Sequence, residues 1–181
     1  HDIASSGRPG PVVVDLPKDI QNTKTIYNTS LRLNTYSVDI SKSISKVTSN
    51  QIEQATDLIV TSKKPVVYIG GGLINSGMQA SIELKNFSEL SNFPITSTLM
   101  GLGAFPASDK SFLGMLGMHG TYEANMAMHD CDLMINIGAR FDDRITGKVD
   151  EFSPKSKKIH VDIDPSSIGK NIKVDLAVVS D

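Results

Sequence analysis

The feature that most constrains this chain is a series of strand-length apolar runs without polar alternation. They are Pro65-Val-Val-Tyr-Ile-Gly70, residues 93–98, Asp132-Leu-Met-Ile-Asn-Ile-Gly138, Lys158-Ile-His-Val-Asp-Ile163 and residues 174–179. A strand with one wet face alternates apolar with polar residues, whereas a strand covered on both faces reads as a nearly continuous apolar run. Segments of helical period separate the runs. Ile52, Ala55, Leu58 and Ile59 fall on one helix face, Ala80, Leu84, Phe87 and Leu90 on another, and residues 122–131 read as a third helix. Ser49 stands where the first helix needs a cap, with Glu53 early enough to suit the helix dipole. Strands that alternate with helices are joined by crossovers, which makes the sheet parallel. The expected fold is α/β, a Rossmann-like, doubly wound parallel sheet with helices on both faces, over residues 48–181.

Upstream the character changes. Pro11-Val-Val-Val-Asp-Leu-Pro17 is a β-branched run bracketed by prolines and suits a buried strand that ends a preceding unit, residues 1–17. Residues 18–47 are rich in Asn, Ser and Thr and hold no period, so they read as a linker. A helix-like start at His1 without Met, and the lack of any Trp, suggest a piece of a longer chain. The 18 basic and 20 acidic residues are scattered, which leaves no basic stripe for nucleic acid. No apolar run approaches the ~20 residues that cross a bilayer, and the first residues lack signal-peptide order, so a soluble protein is expected. Cys131 is alone, excluding an internal disulfide or a paired-cysteine metal site, and reads as buried filler.

Ligands of an open parallel sheet sit beyond the carboxyl ends of its strands. Those ends hold Gly70-Gly-Gly-Leu-Ile-Asn-Ser-Gly77, Thr98-Leu-Met-Gly101, Gly138-Ala-Arg-Phe-Asp-Asp-Arg144 and Asp162-Ile-Asp164. Gly114-Met-Leu-Gly-Met-His-Gly120 is too glycine-rich for a helix and too apolar for an ordinary surface loop, and suits a seat for something flat and apolar. The glycine turn is not the dinucleotide fingerprint: Asn75 stands where its third glycine belongs, and Gly77 comes two places late. The second strand ends Thr98-Leu99-Met100 with no acid to hold a ribose, and the first acid at a matching strand end is Asp162. Residue types alone also allow simple tight-turn glycines, and a solvated ion-pair loop at 140–144. His119 reads either as a site residue or as structural; His1, His129 and His160 read as structural. There is no Gly-x-Ser-x-Gly elbow, no Gly-Lys-Ser/Thr phosphate loop and no His-Glu-x-x-His helix.

These residues carry a resemblance over essentially the whole chain. Ser6-Gly-Arg-Pro-Gly-Pro-Val-Val-Val-Asp-Leu-Pro-Lys18 resembles the close of the N-terminal, pyrimidine-binding domain of acetohydroxyacid synthases, also called acetolactate synthases. Gly114-Met-Leu-Gly-Met-His-Gly120 and Gly138-Ala-Arg-Phe-Asp-Asp-Arg-Ile-Thr-Gly-Lys148 resemble that family's central domain, and related pyruvate oxidases and decarboxylases generally lack the Arg140 to Arg144 run. The resemblance implies FAD bound by residues 48–181, extended across the strand ends on loops other than the dinucleotide fingerprint. It implies that Arg8 contacts FAD from the domain boundary and that Gly71 and Gly72 let the backbone approach it. Thr98, Leu99, Leu116, Gly117, Met118 and His119 would line the flavin and ribityl chain, followed by Gly138, Arg140 and Asp142. Asp162 and Ile163 would flank the adenosine end, and Asp181 matches a further contact. Met118 and Arg144 fall on the substrate side: Arg144 would recognise the carboxylate of the second 2-keto acid, Asp143 would orient Arg144, and Met118 would shape the alkyl pocket.

Enzymes of this kind condense pyruvate with a second pyruvate or 2-ketobutyrate in branched-chain amino-acid synthesis, using thiamine diphosphate and Mg2+. The Gly-Asp-Gly motif and activating glutamate that serve thiamine diphosphate are missing from the chain. The resemblance therefore implies a piece that is inactive by itself, with no catalytic residue and no metal ligand. FAD would serve as a structural wedge, since the condensation is redox-neutral. It further implies a homodimer or tetramer with a regulatory subunit, in a bacterial cytoplasm or a plastid or mitochondrion. Two readings from other classes stand beside it, a cofactor-free scaffold domain and an NAD-binding domain.

Overall fold

The computed structural model describes residues 2–5, 9–26 and 46–181, and the chain divides into two compact units, residues 1–43 and 44–181. In the first unit α1 (Asp2–Ser5) and α2 (Lys18–Gln21) are single helical turns. The buried strand expected at 11–17 does not form: Val13 and Val14 are 90% and 75% exposed, and no described strand pairs with the segment. A β-branched run becomes a strand only where a neighbour takes up its amides and carbonyls. The segment read as a linker opens with α2, and residues 27–45 lie outside the described residues.

In the second unit β1 (Pro65–Ile69), β2 (Ile95–Ser97), β3 (Phe112–Met115), β4 (Leu133–Ile137), β5 (Lys157–Asp162) and β6 (Leu176–Val179) form one sheet in the order β3-β2-β1-β4-β5-β6. Every pairing is parallel, as the unalternating runs require. The helices are α3 (Ser49–Thr61), α4 (Gly71–Asn75), α5 (Met78–Ser91), α6 (Tyr122–Asp130) and the single turn α7 (Asp143–Thr146). Strand β3 was hidden in the sequence by Gly114, which takes φ +89° where the register against β2 shifts.

Local chemistry sets the helix starts. Thr48, not Ser49, caps α3: its hydroxyl accepts the Gln51 amide at 3.2 Å and its own amide donates to the Gln51 side chain at 3.0 Å. Ala55, Leu58 and Ile59 pack on the core as expected, but Ile52 is 57% exposed. In α5 the inward stripe follows i, i+4 spacing from Leu84 to Ser88, so Leu90 is 86% exposed.

The two faces of β1 feed two cores. Val67 and Ile69 join Leu84, Ile95, Leu133 and Ile159, packed against α3 and α5, while Val66 and Tyr68 join Ala124, Met128, Met134 and Phe141 on the α6 side. Each such buried aliphatic side chain contributes about 1.5–3 kcal/mol, so the central strands anchor everything mounted on their ends. Cys131 is the buried filler expected, its thiol donating to the Met128 carbonyl at 3.3 Å, and burial pushes its pKa up.

Candidate functional site

Strands β1, β2 and β3 run to one edge of the sheet and β4, β5 and β6 to the other, so the winding reverses between β1 and β4. Outside the carboxyl ends of that strand pair the loops diverge, and open α/β sheets bind ligands in the resulting crevice. Here it is floored by a junction of two backbones. Gly70 N–H donates to the Ile137 carbonyl at 2.9 Å, and Gly72 N–H to the Gly138 carbonyl at 3.0 Å. A Cβ on Gly72 would lie 2.6 Å from the Gly138 Cα, and one on Gly70 would overlap the Gly138 carbonyl oxygen. The space beside Gly72, expected to admit a ligand, is thus filled by Gly138. Gly71 differs, because a Cβ there would meet Met100 Cβ at 3.1 Å, at the turn after β2.

One step inside this edge, registers Thr96↔Tyr68, Tyr68↔Asn136 and Asn136↔His160 align four fully buried polar residues across the sheet. Each braces a loop. The Thr96 hydroxyl donates to the Gly114 carbonyl at 2.9 Å, and the Asn136 amide spans the turn after β4, accepting from Ala139 N–H at 3.0 Å and donating to the Ala139 carbonyl at 2.7 Å. Tyr68 and His160 instead touch the Phe141 ring, with centroids 5.6 and 5.2 Å away. Burial foremost, with Asp142 adding to it and Arg140 opposing, pushes the Tyr68 phenol pKa far up. Burial likewise holds the His160 imidazole below its usual range, against the pull of Asp162. Tyr68, Thr96 and Asn136 are not among the residues that the sequence singles out, and His160 reads there as structural. The available signal was a polar side chain inside an otherwise apolar, doubly covered strand.

The sequence-expected residues fall around this platform. Thr98 accepts the Gly101 amide at 3.0 Å and so caps the turn that leaves Leu99 66% and Met100 73% exposed. After β3, Leu116 is buried, Gly117 is clamped by the Asn125 side chain at 2.8 and 3.1 Å, and Met118 and His119 are exposed. Met118 N–H donates to the Arg144 carbonyl at 3.2 Å, which brings the two expected substrate residues together through their backbones. In the loop after β4, Phe141 is buried while Arg140, Asp143 and Arg144 face out. The ion pair in that loop is Arg140–Asp142 at 2.6 Å; among the described residues Asp143 forms none with Arg144. Asp162 is buried at the end of β5, where it accepts the Asp164 amide at 2.9 Å, and Ile163 is half-buried beside it. Asp181, following β6, accepts the Ser76 hydroxyl at 2.6 Å just past α4. Arg8 lies outside the described residues. An open concavity of about 520 Å3 lies at the opposite, amino ends of the strands, lined by Lys63, Lys64, Phe93 and Cys131, away from all these groups.

Residues 52–181 match the family of the thiamine pyrophosphate enzyme central domain. Over 98% of its length the chain is 47% identical to the acetolactate synthase large subunit of Haemophilus influenzae, covering 30% of that protein. It is 46% identical to the acetolactate synthase isozyme 3 large subunit of Escherichia coli over 99% of its length, and 45% identical to the probable acetolactate synthase 2, chloroplastic, of Oryza sativa, also over 99%. It covers 31% and 26% of those two relatives, so it spans less than a third of their length. A parallel sheet wound 3-2-1-4-5-6, matched from within α3 to residue 181, places this chain in the thiamine pyrophosphate enzyme family, as its central domain.

Proposed function

We propose that the carboxyl edge of this sheet binds FAD, and that the chain serves as the central part of an acetohydroxyacid synthase large subunit. The observation that carries this reading is an apolar shelf beside the crevice: Leu99, Met100 and Met118, from the loops after adjacent strands β2 and β3, are 66%, 73% and 68% exposed. Exposed apolar groups of that size, gathered at a ligand-binding edge, suit a flat aromatic cover. Arg140 is half-exposed and spends one nitrogen on Asp142, which leaves further N–H donors for a diphosphate. Asp162 fits a ribose-binding role less well, since its carboxylate is engaged with its own turn.

Thiamine diphosphate with Mg2+, held by other segments of the enzyme, would supply the decarboxylation chemistry when bound. This chain's own contribution is recognition of the acceptor, a second pyruvate or 2-ketobutyrate. Arg144 would take its carboxylate and Met118 its alkyl group, the 3.2 Å Met118–Arg144 backbone bond keeping the two in step. In this reading FAD acts as a wedge without net redox turnover, the subunit assembles as a dimer or tetramer with a regulatory partner, and the product feeds branched-chain amino-acid synthesis. No helix among the described residues is long and apolar enough to cross a membrane.

Calorimetric titration with FAD and NAD in parallel tests the cofactor: FAD should bind, and binding of NAD alone would overturn the proposal. In the intact enzyme Arg144→Ala should keep FAD and raise KM for the acceptor, while Arg140→Ala should loosen FAD and recover activity in excess cofactor. Loss of both properties together in both variants, without rescue, would reduce the loop to a brace.

A further inference from the structure

His160 is fully buried, and neither ring nitrogen makes a well-shaped hydrogen bond, the Ala139 backbone at the start of the loop being the one polar group that draws on the ring. A buried polar ring left unbonded is less favourable than an apolar one, so its contacts have to account for it. Its contact is the Phe141 ring, met edge to face at 5.2 Å and 85°. Phe141 has φ +55°, a region that a bulky aromatic residue occupies only when its surroundings force it there. Tyr68 and Phe152, with centroids 5.6 and 5.9 Å away, complete the socket, and Asn171 donates to the Phe141 carbonyl at 3.0 Å. With Phe141 turned inward, its neighbours Arg140 and Asp142 are turned outward as an ion pair.

We propose that His160 is the positioning residue of the 140–144 loop: an uncharged ring that keeps Phe141 seated, fixes how Arg140 and Arg144 are presented, and releases the loop when it gains a proton.

Burial favours the neutral ring, and the one charge close to it opposes burial. On its own strand Asp162 places a carboxylate 3.9 Å from Nε2. From β4 its register neighbour is the uncharged Asn136 and from β6 it is Ala177, and the loop presents the Phe141 ring with the Arg140–Asp142 pair outside. Burial outweighs both the Asp162 carboxylate and the Ala139 backbone, which favour the protonated ring, and depresses the imidazole pKa. For a depressed histidine the unfolded or opened chain binds more protons in acid. The stabilisation is therefore complete above the free-chain value of ~6.5 and is lost as pH falls below it.

Hydrogen exchange on the intact protein with no ligand added tests this, so its outcome is separate from whether flavin binds. The reporters are the amides of Ala139, Met118 and Thr146, bonded to Asn136 Oδ1, the Arg144 carbonyl and the Asp142 carbonyl, with Val67 in β1 as the global reference. Between pH ~7.5 and ~5.5, protection at the three loop amides, corrected for intrinsic exchange, should fall roughly 3- to 10-fold more than at Val67. His160→Phe keeps the ring contact without the titrating group and should keep the protection of pH ~7.5 while losing the acid step. His160→Gln, which cannot titrate either, should lose the step even if the larger ring is not accommodated. His160→Ala should lose loop protection at both pH values. A loop that follows Val67 at every pH, or an acid step that persists in His160→Phe or His160→Gln, overturns the proposal.

Discussion

Alanine at Gly71 and at Gly72 should have opposite consequences, although the sequence presents them as equivalent members of one glycine turn. Both lie in α4 with a helical backbone, where alanine is intrinsically favoured over glycine by up to ~1 kcal/mol. At Gly72 that gain is overwhelmed. The added Cβ would sit 2.6 Å from the Gly138 Cα and 3.0 Å from its carbonyl oxygen, so two backbones must part where β1 and β4 end. Parting them strains the 3.0 Å Gly72–Gly138 hydrogen bond, and overpacking of this kind costs about 1–3 kcal/mol. At Gly71 the nearest atoms are Met100 Cβ at 3.1 Å and the Met100 carbonyl oxygen at 3.3 Å, so the short turn that carries Met100, whose side chain is 73% exposed, has to shift only slightly. The expected net change there is within ~0.5 kcal/mol of zero. With an m-value of ~2 kcal/mol/M and a net loss of about 1–2 kcal/mol, urea unfolding should move the Gly72→Ala midpoint down by ~0.5–1 M and leave Gly71→Ala nearly in place. Gly138→Ala adds a left-handed φ of +65° to the same clash, and the Gly72/Gly138 double variant should cost less than the sum, because one opened gap accommodates both methyl groups. Equal midpoints for the two single variants, or strict additivity in the pair, would refute the junction as the reason for these glycines.

Three further outcomes follow from named contacts. Thr48→Ala should lose ~1 kcal/mol in chemical denaturation, while Ser49→Ala should change little, since only Thr48 accepts the Gln51 amide. Asn136→Leu strands the buried Ala139 amide and carbonyl, and should lower stability by ~2–3 kcal/mol in the same assay while raising exchange at Ala139. Cys131, buried and with its thiol pKa pushed up by that burial, should react with a thiol reagent only at the rate of unfolding; fast labelling of native protein at neutral pH would show that its pocket opens.

The alternation of strands and helices was legible because burial on both faces writes itself as an uninterrupted apolar run, as at Val66 to Ile69. The candidate edge could be named for the same reason, since strand ends are places before they are motifs. What stayed hidden depended on partners far along the chain. Gly72 needs Gly138, a requirement that no local spacing reveals, and Ile52 and Leu90 obey helical period yet meet no neighbour. The 11–17 run has strand composition, but composition cannot supply a pairing strand. Asn136 and His160 interrupt apolar strands in plain view. Their meaning lay in the loop that each supports, which register sets and sequence does not display.

A division of labour runs through the carboxyl edge. Tyr68, Asn136 and His160 hold the loop after β4 from beneath and Thr96 ties β2 to β3, while Leu99, Met100, Met118 and Arg144 look outward and carry little of the fold. If this edge binds the ligand proposed for it, substitution in the outward set would change what the surface recognises without disturbing how it is mounted, so a lineage could retune its ligand one residue at a time. The buried set has no such freedom. Altering Tyr68, Asn136 or His160 would disturb a loop that carries several of the proposed recognition residues at once, and transplanting that loop onto another sheet would succeed only if the row beneath travels with it.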